Sequence, residues 1–324
     1  RHRPWRSKDP QTEASRGLHR ERCIITPSRF PSLPFHAVPM LSATPSPALA
    51  GVDFTSRPTR TKPIVVALGH AVNHAVKLER LVPHVSFDSF TQWLLAPGPW
   101  VGGFDLPFGL PKELTRSLGW PDAWLPLMRH YASLERSEVR STFAAFCNAR
   151  PVGGKFAHRA TDGPAGSSTS MKWVNPPVAL MLHAGVPLLI DAGVHLPGLH
   201  EGDASRVALE AYPGLLAREV LGTRSYKSDE RARQTPERLI ARKDLVEALE
   251  QGRNRLGLRL RLSHALRDQL VEDASGDKLD ATLCLMQAAW AAQQPAYGLP
   301  ADIDPLEGWI VTAPWPVPMV VEPA

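Results

Sequence analysis

Acidic side chains stand at the ends of two strand-like runs of the sequence. The run AGVD (50–53) ends in Asp53, and the run VGGFD (101–105) ends in Asp105. If the two runs pair in one sheet, neighbouring strands lie about 4.8 Å apart and the two carboxylates stand close together. Turn formation is the alternative role for each acid, because aspartate hydrogen-bonds to the nearby backbone where a strand ends.

Two further acids, Asp277 and Asp280, open the most regular helical pattern of the chain, GDKLDATLCLMQAAWAAQQ (276–294). Their i, i+3 spacing puts both side chains on one face of the helix. Acids in a first turn also cap a helix or interact with its dipole, so a purely structural role is the alternative. Of the two, Asp280 is the better candidate for a metal ligand, because Asp277 follows Gly276 and is better placed to cap.

Four carboxylates on three separated segments predict a site for hard divalent cations. Oxygen donors of this kind bind Mg²⁺ or Mn²⁺. Two such ions about 3.5–4 Å apart stabilise the attacking and the leaving oxygens in phosphodiester cleavage. Without a cation the carboxylates would repel one another, and some would stay protonated. An arginine or lysine would otherwise have to compensate them, and Lys227 is the first basic side chain that we expect to do so.

The segments around these acids predict an α/β fold with a mixed sheet. KPIVVALGH (62–70) and HAVKLERLVPH (74–84) follow the first strand through short turns, which predicts an antiparallel meander. A helix over 86–96 then precedes the strand at 100–106. A helical crossover favours a fourth strand that lies parallel to the first.

The rest of the chain predicts more helices and one more strand. The helices are expected over 120–134, 175–185, 235–252, 262–273 and 276–294. The segment 206–214 predicts a strand that ends at Pro213. The stretch 149–173 is rich in glycine and serine and predicts a long loop, a kind of segment that is often functional.

The order of several motifs resembles the family named domain of unknown function 429. The motifs are GVDFTS, GGFDLPFGLP, EAYPG, GDKLDATLCL and DPLEGWIVTAP, and they cover about residues 49–313. The resemblance implies a ribonuclease-H-like fold: a mixed sheet flanked by helices, with a large insertion, about 107–205, after the fourth strand. It also implies a metal-dependent nuclease. The D-x-x-D helix is similar to the last helix of Holliday-junction resolvases.

The resemblance also implies roles for particular acids of this chain. Asp53 becomes the first-strand acid and Asp105 the fourth-strand acid, while Asp277 and Asp280 become the helix acids. These four are the expected ligands of Mg²⁺ or Mn²⁺ and the expected catalytic residues. Glu210 is a further catalytic candidate near the site, because it would face opposite Leu209 on its strand.

The charge distribution gives only weak support for a nucleic-acid partner. The chain carries a net charge of +5, and residues 1–39 account for it with eight Lys or Arg and three Asp or Glu. The remainder is neutral overall, whereas nucleic-acid-binding domains are usually basic. A local excess lies at 215–261, where Lys227, Arg231 and Arg242 are candidate phosphate contacts. A solvated helix face with i, i+4 ion pairs is the alternative for that segment.

Composition and patterning also predict the organisation of the chain. Residues 1–48 are expected to form a disordered basic tail from an over-long gene start, 49–313 the folded domain, and 314–324 a second tail. The three cysteines have no metal or disulfide spacing, which favours a reducing compartment such as the cytoplasm. The sequence contains no uninterrupted run of about 18 apolar residues, so it predicts no membrane span. No feature of the sequence indicates a protein partner.

Two other functions remain open at this stage. Actin-type and sugar-kinase folds share the predicted topology, and GVDFTS resembles their first phosphate-binding turn, so a phosphotransferase that uses Asp105 as a base is one alternative. A non-catalytic binding protein that keeps the acids for folding is the other. Fold alone does not decide among these functions.

Overall fold

The computed structural model describes residues 47–315, so the two predicted tails lie almost entirely outside the described part. The domain is α/β, with one mixed sheet of seven strands flanked by helices. The strands are β1 (Ala48–Asp53), β2 (Ile64–Val72), β3 (Ala75–His84), β4 (Trp100–Asp105), β5 (Val194–His195), β6 (Asp203–Glu210) and β7 (Arg259–Arg261). The helices are α1 (Phe87–Leu94), α2 (Lys112–Ser117), α3 (Trp124–Ser133), α4 (Arg136–Asn148), α5 (Asp162–Ala165), α6 (Val178–Asp191), α7 (Pro213–Leu221), α8 (Pro236–Gln251), α9 (His264–Glu272) and α10 (Asp277–Ala291).

The sheet has the strand order β5-β6-β4-β1-β2-β3-β7. β1 pairs antiparallel with β2, and β2 pairs antiparallel with β3, so the predicted meander is confirmed. β4 lies parallel to β1, as the helical crossover through α1 predicts, and β6 lies parallel to β4. The carboxyl ends of these three parallel strands therefore meet at one edge of the sheet.

Several boundaries differ from the sequence prediction. Pro213 opens α7 instead of ending a strand, because proline fits the first turn of a helix, where its missing N–H costs nothing. The helix expected over 175–185 continues to Asp191 and accommodates Pro187. The segment between β4 and β6 forms five helices and the short β5, and α2, α4 and α5 were not predicted.

Alternate side chains of the central strands enter two separate cores. On one face, Val52 of β1 and Phe104 of β4 belong to a core with α3 and α6. On the other face, Leu49 and Val101 belong to a core with α7, α8 and α10. Among residues 47–315, no helix is both long enough and apolar enough to cross a bilayer.

α10 lies directly on the central strands and is buried along nearly its whole length. Gly51 and Gly103 permit this close approach. A methyl group on Gly51 would overlap the backbone of Ala281 and Leu285, and one on Gly103 would lie 2.5 Å from the carbonyl oxygen of Cys284. The two glycines therefore fix how near the first turn of α10 comes to the ends of β1 and β4.

Candidate metal centre

Asp53 and Asp105 lie side by side at the carboxyl ends of β1 and β4. The parallel register pairs the two residues directly, so their side chains project from the same face of the sheet. That face is the one covered by α10, because Gly51 and Gly103 occupy the same side two residues earlier. The sheet register alone thus brings two carboxylates to one point.

Asp280 reaches the same point from the first turn of α10. Its side chain is fully buried, and Asp53 is 7% exposed. One carboxylate oxygen from each of Asp53, Asp105 and Asp280 lies within 4.8 Å of the other two. The structure therefore brings together three of the four aspartates that the sequence indicates as metal ligands.

Asp277 is not part of this group of three carboxylates and instead forms an ion pair with a lysine. Lys62 Nζ donates to Asp277 Oδ1 at 2.6 Å and to Asp229 Oδ1 at 2.7 Å. The expectation that Asp277 caps α10 is wrong. Gly276 is the N-cap, at φ 80°, and a Cβ at this position would lie 2.6 Å from the Cβ of Lys227.

Asp280 is itself bound by two side chains of the loop after α7. Tyr226 donates its hydroxyl to Oδ1 of Asp280, and Lys227 forms an ion pair with Oδ2. Lys227 is the basic side chain that the sequence indicates as a compensating charge. Lys62 and Tyr226 are not among the site residues that the sequence predicts. For Tyr226, the sequence offers one indication, its position next to Lys227 in RSYKSD.

Burial and the charge of neighbouring carboxylates raise the pKa values of Asp53 and Asp105. Burial, followed by the charge of Asp280, raises the pKa of Asp53 well above its usual value. The same two causes raise the pKa of Asp105 to about 7. A cation that binds here would relieve both effects, because it stabilises the charged form of each carboxylate.

In the absence of divalent metal, the protein is expected to lose stability as the pH rises from about 4 to about 7. An acid whose pKa is higher in the folded than in the unfolded state destabilises the fold once the unfolded chain releases its proton. For Asp105 this window runs from the ordinary value of 3.8 to about 7. In chelator, the melting temperature should therefore fall across this range, and Asp105→Asn should make the fall smaller. An unchanged pH profile in Asp105→Asn would contradict the assignment.

Glu210 does not join the cluster, so its predicted place among the catalytic acids is corrected. It pairs with Phe104 in the register, and its side chain projects from the face of the sheet opposite to Asp105. There, Arg159 donates to both of its carboxylate oxygens, at 2.7 and 2.8 Å, and the Phe108 N–H donates at 2.9 Å. Arg159 also binds Asp162 at 3.0 Å, so the pair is part of a buried structural network.

One of the three predicted phosphate contacts is also corrected. Arg242 is buried and donates to the carbonyl oxygens of Val271 and Tyr226, at 2.7 and 2.8 Å. Its guanidinium thus supports the loop that holds Tyr226 against Asp280. Arg231 lies in an exposed 3-10 turn and is not among the residues that line the cleft, so its contact with phosphate stays a prediction. Of the three candidate phosphate contacts, only Lys227 forms an ion pair with an aspartate of the site.

A cleft of about 550 Å³ opens above the carboxylates. Asp53, Asp105 and Asp277 form its floor together with Lys62 and Lys227. The segment between β4 and β6 supplies one wall, from Arg159, the serines at 167 and 168, and the start of α6 at 176–181. The cleft is large enough for a small ligand and carries both acidic and basic groups at its base.

Comparison of the chain with protein-family models, with curated proteins and with solved structures gives no match.

Proposed function

We propose that this protein is a metal-dependent nuclease or phosphodiesterase of the ribonuclease-H-like type. The observation that carries the proposal is the convergence of Asp53, Asp105 and Asp280, from two parallel strands and one helix, within 4.8 Å. Burying three carboxylates together is costly unless a positive charge compensates them. Asp53 and Asp105 line an open cleft, so a cation bound to them would be accessible to a substrate.

The topology supports the resemblance to the domain of unknown function 429. That resemblance implies a meander followed by helix-linked parallel strands, and β3-β2-β1-β4-β6 has this arrangement. The segment between β4 and β6 stands where the resemblance implies a large insertion. A phosphotransferase of the sugar-kinase type is not favoured. Proteins of that type contain two copies of the fold, whereas residues 47–315 form a single sheet.

The chemistry of the donor set fits a magnesium or manganese ion. Asp53, Asp105 and Asp280 would hold it, since all three offer carboxylate oxygens. When bound, such an ion activates water and stabilises negative charge on a phosphate. The other residues have roles of their own: Tyr226 orients Asp280 through its hydroxyl, and Lys62 and Lys227 bring positive charge to the cleft floor.

A hydrolysis assay tests the proposal directly. The full chain is incubated with single- and double-stranded DNA and RNA and with small phosphodiesters, in Mg²⁺, in Mn²⁺ and in chelator. Hydrolysis that requires the divalent ion is the expected result. The absence of hydrolysis of every substrate in both ions would contradict the proposal.

Metal titration separates the two helix acids. Asp280→Asn is expected to weaken the binding of Mn²⁺ strongly, on the order of tenfold or more, whereas Asp277→Asn should weaken it less. The reason is that Asp280 lies within the group of three carboxylates, while Asp277 is paired with Lys62. Calorimetry of both variants measures the difference, and the reverse order would contradict the ligand assignment.

A non-catalytic binding protein remains the second candidate, and one observation favours it. Lys227 pairs with Asp280 and Lys62 pairs with Asp277, so two of the four aspartates are compensated by lysines. Carboxylates that are already paired with lysines would gain little stability from a bound metal ion. Thermal melting with and without Mn²⁺ separates the two functions, because an ion that binds the native state raises its stability by mass action.

A further inference from the structure

The loop after β1 is bound to the first turn of α4 at the edge of the cleft. Ser56 lines the cleft and follows Asp53 by three residues. Arg136, the first residue of α4, donates one terminal nitrogen to the Ser56 carbonyl oxygen at 3.1 Å and the other to its hydroxyl at 3.0 Å. A guanidinium group is therefore fixed beside the cleft by two hydrogen bonds to a neutral residue.

Two more arginines surround this guanidinium. Arg57 is the next residue after Ser56, and Arg140 lies one turn beyond Arg136 on the same face of α4. Arg57 and Arg140 are exposed, and none of the three forms an ion pair with a residue of the described part of the chain. Burial, followed by the neighbouring charges of Arg57 and Arg140, lowers the pKa of Arg136. Three like charges held together in this way are suited to an anionic partner.

The spacing to the metal centre indicates what that anion is. Three residues of extended chain span at most about 11 Å, so Ser56 lies within that distance of Asp53. Along one strand of a duplex, successive phosphates advance about 3.4 Å, and an extended single strand advances further, so three nucleotides or fewer cover the distance. The backbone of a polymer with one phosphate at the carboxylates would therefore reach the arginines within a few nucleotides.

We propose that Arg57, Arg136 and Arg140 bind consecutive phosphates of a single-stranded polynucleotide that extends from the cleft past Ser56. This inference rests on the proposed function and adds a path for the substrate. Guanidinium groups suit the role, because they are always charged and donate hydrogen bonds to phosphate oxygens. The arginine cluster does not include Arg231 and Arg242, two of the candidate phosphate contacts in the sequence.

The test compares two variants that lose the same charge. Arg57→Gln with Arg140→Gln removes two exposed arginines of the cluster. Arg259→Gln with Arg261→Gln removes two exposed arginines, also without ion pairs, from β7 at the outer edge of the sheet. Binding of single-stranded DNA and RNA oligonucleotides to the full chain is measured by fluorescence anisotropy, in chelator, over a range of salt concentrations. The basic segment 1–39 is present in both variants and contributes equally.

The cluster variant is expected to lower the slope of log affinity against log salt by about 1.4, since each lost phosphate contact contributes about 0.7 for a single strand. The β7 variant should leave the slope nearly unchanged. Equal slopes in the two variants would overturn the inference, as would a mononucleotide that binds as tightly as the oligonucleotide. Because no divalent ion is present, this result is independent of hydrolysis, whose absence would contradict the proposed function instead.

Discussion

Asp53→Asn is expected to abolish metal-dependent hydrolysis, with a loss on the order of 10³-fold, while leaving the fold as stable as before or more stable. The substitution keeps the shape of the side chain but removes one of three carboxylate charges that converge within 4.8 Å. The pKa of Asp53 is raised by burial and by the charge of Asp280, so the carboxylate destabilises the metal-free fold near neutral pH. Loss of activity and gain of stability should therefore occur together.

This combination distinguishes a catalytic defect from misfolding. Initial rates in Mg²⁺ and thermal melting in chelator are measured on the same preparation. Asp229→Asn is the matched control, because Asp229 lines the same cleft and carries the same charge but pairs only with Lys62 at an exposed position. The control should change both quantities little. An Asp53→Asn protein that retains the wild-type rate would contradict the metal centre.

Gly51→Ala is expected to destabilise the domain by about 3 kcal/mol, the upper part of the usual range for overpacking a core. The added methyl group would overlap the backbone of Ala281 and Leu285, and backbone atoms cannot move aside by changing a rotamer. α10 would have to lift away from β1, and Asp280 would move with it. Urea unfolding should show the loss of stability, and calorimetry should show weaker binding of Mn²⁺.

Gly163→Ala provides the comparison for this substitution. An added methyl group at Gly163 meets no atom within 4 Å, so the change in stability should stay within about 0.5 kcal/mol. Equal stability of the Gly51 and Gly163 variants would show that the contact between β1 and α10 is not tight. Loss of stability at Gly51 with unchanged Mn²⁺ affinity would show that Asp280 is positioned independently of this contact.

The local patterns of the sequence predict the centre of the fold well. β1, β2 and β4 are short runs of mostly small or apolar residues, β3 alternates imperfectly, and a helix before β4 implies its parallel pairing with β1. Asp53 and Asp105 end two of these runs, so their meeting follows from a short-range pattern and one topological rule. The i, i+3 acids of α10 are equally local.

What the sequence does not predict depends on register and on long-range contacts. Glu210 lies at the expected edge of the sheet, but its pairing with Phe104 turns it to the opposite face, towards Arg159. A shift of one residue in the register of β6 on β4 would have placed Glu210 on the same face as Asp105. No local sequence pattern specifies this register. Lys62 binds Asp277 across 215 residues of sequence, and Arg159 lies in a segment without helical or strand periodicity.

α10 covers β1 at close range, so the core around β1 is complete only after α10 has been synthesised. β1 is among the first described segments to be synthesised, and the helix that covers it follows about 230 residues later. At ordinary translation rates the ribosome needs roughly 10–50 s to reach that helix. Until then Asp53 and Asp105 remain hydrated, and the apolar side chains beside them on the same face stay uncovered. Newborn chains are therefore expected to be most prone to aggregation in this interval, before α10 covers the sheet and the carboxylates come together.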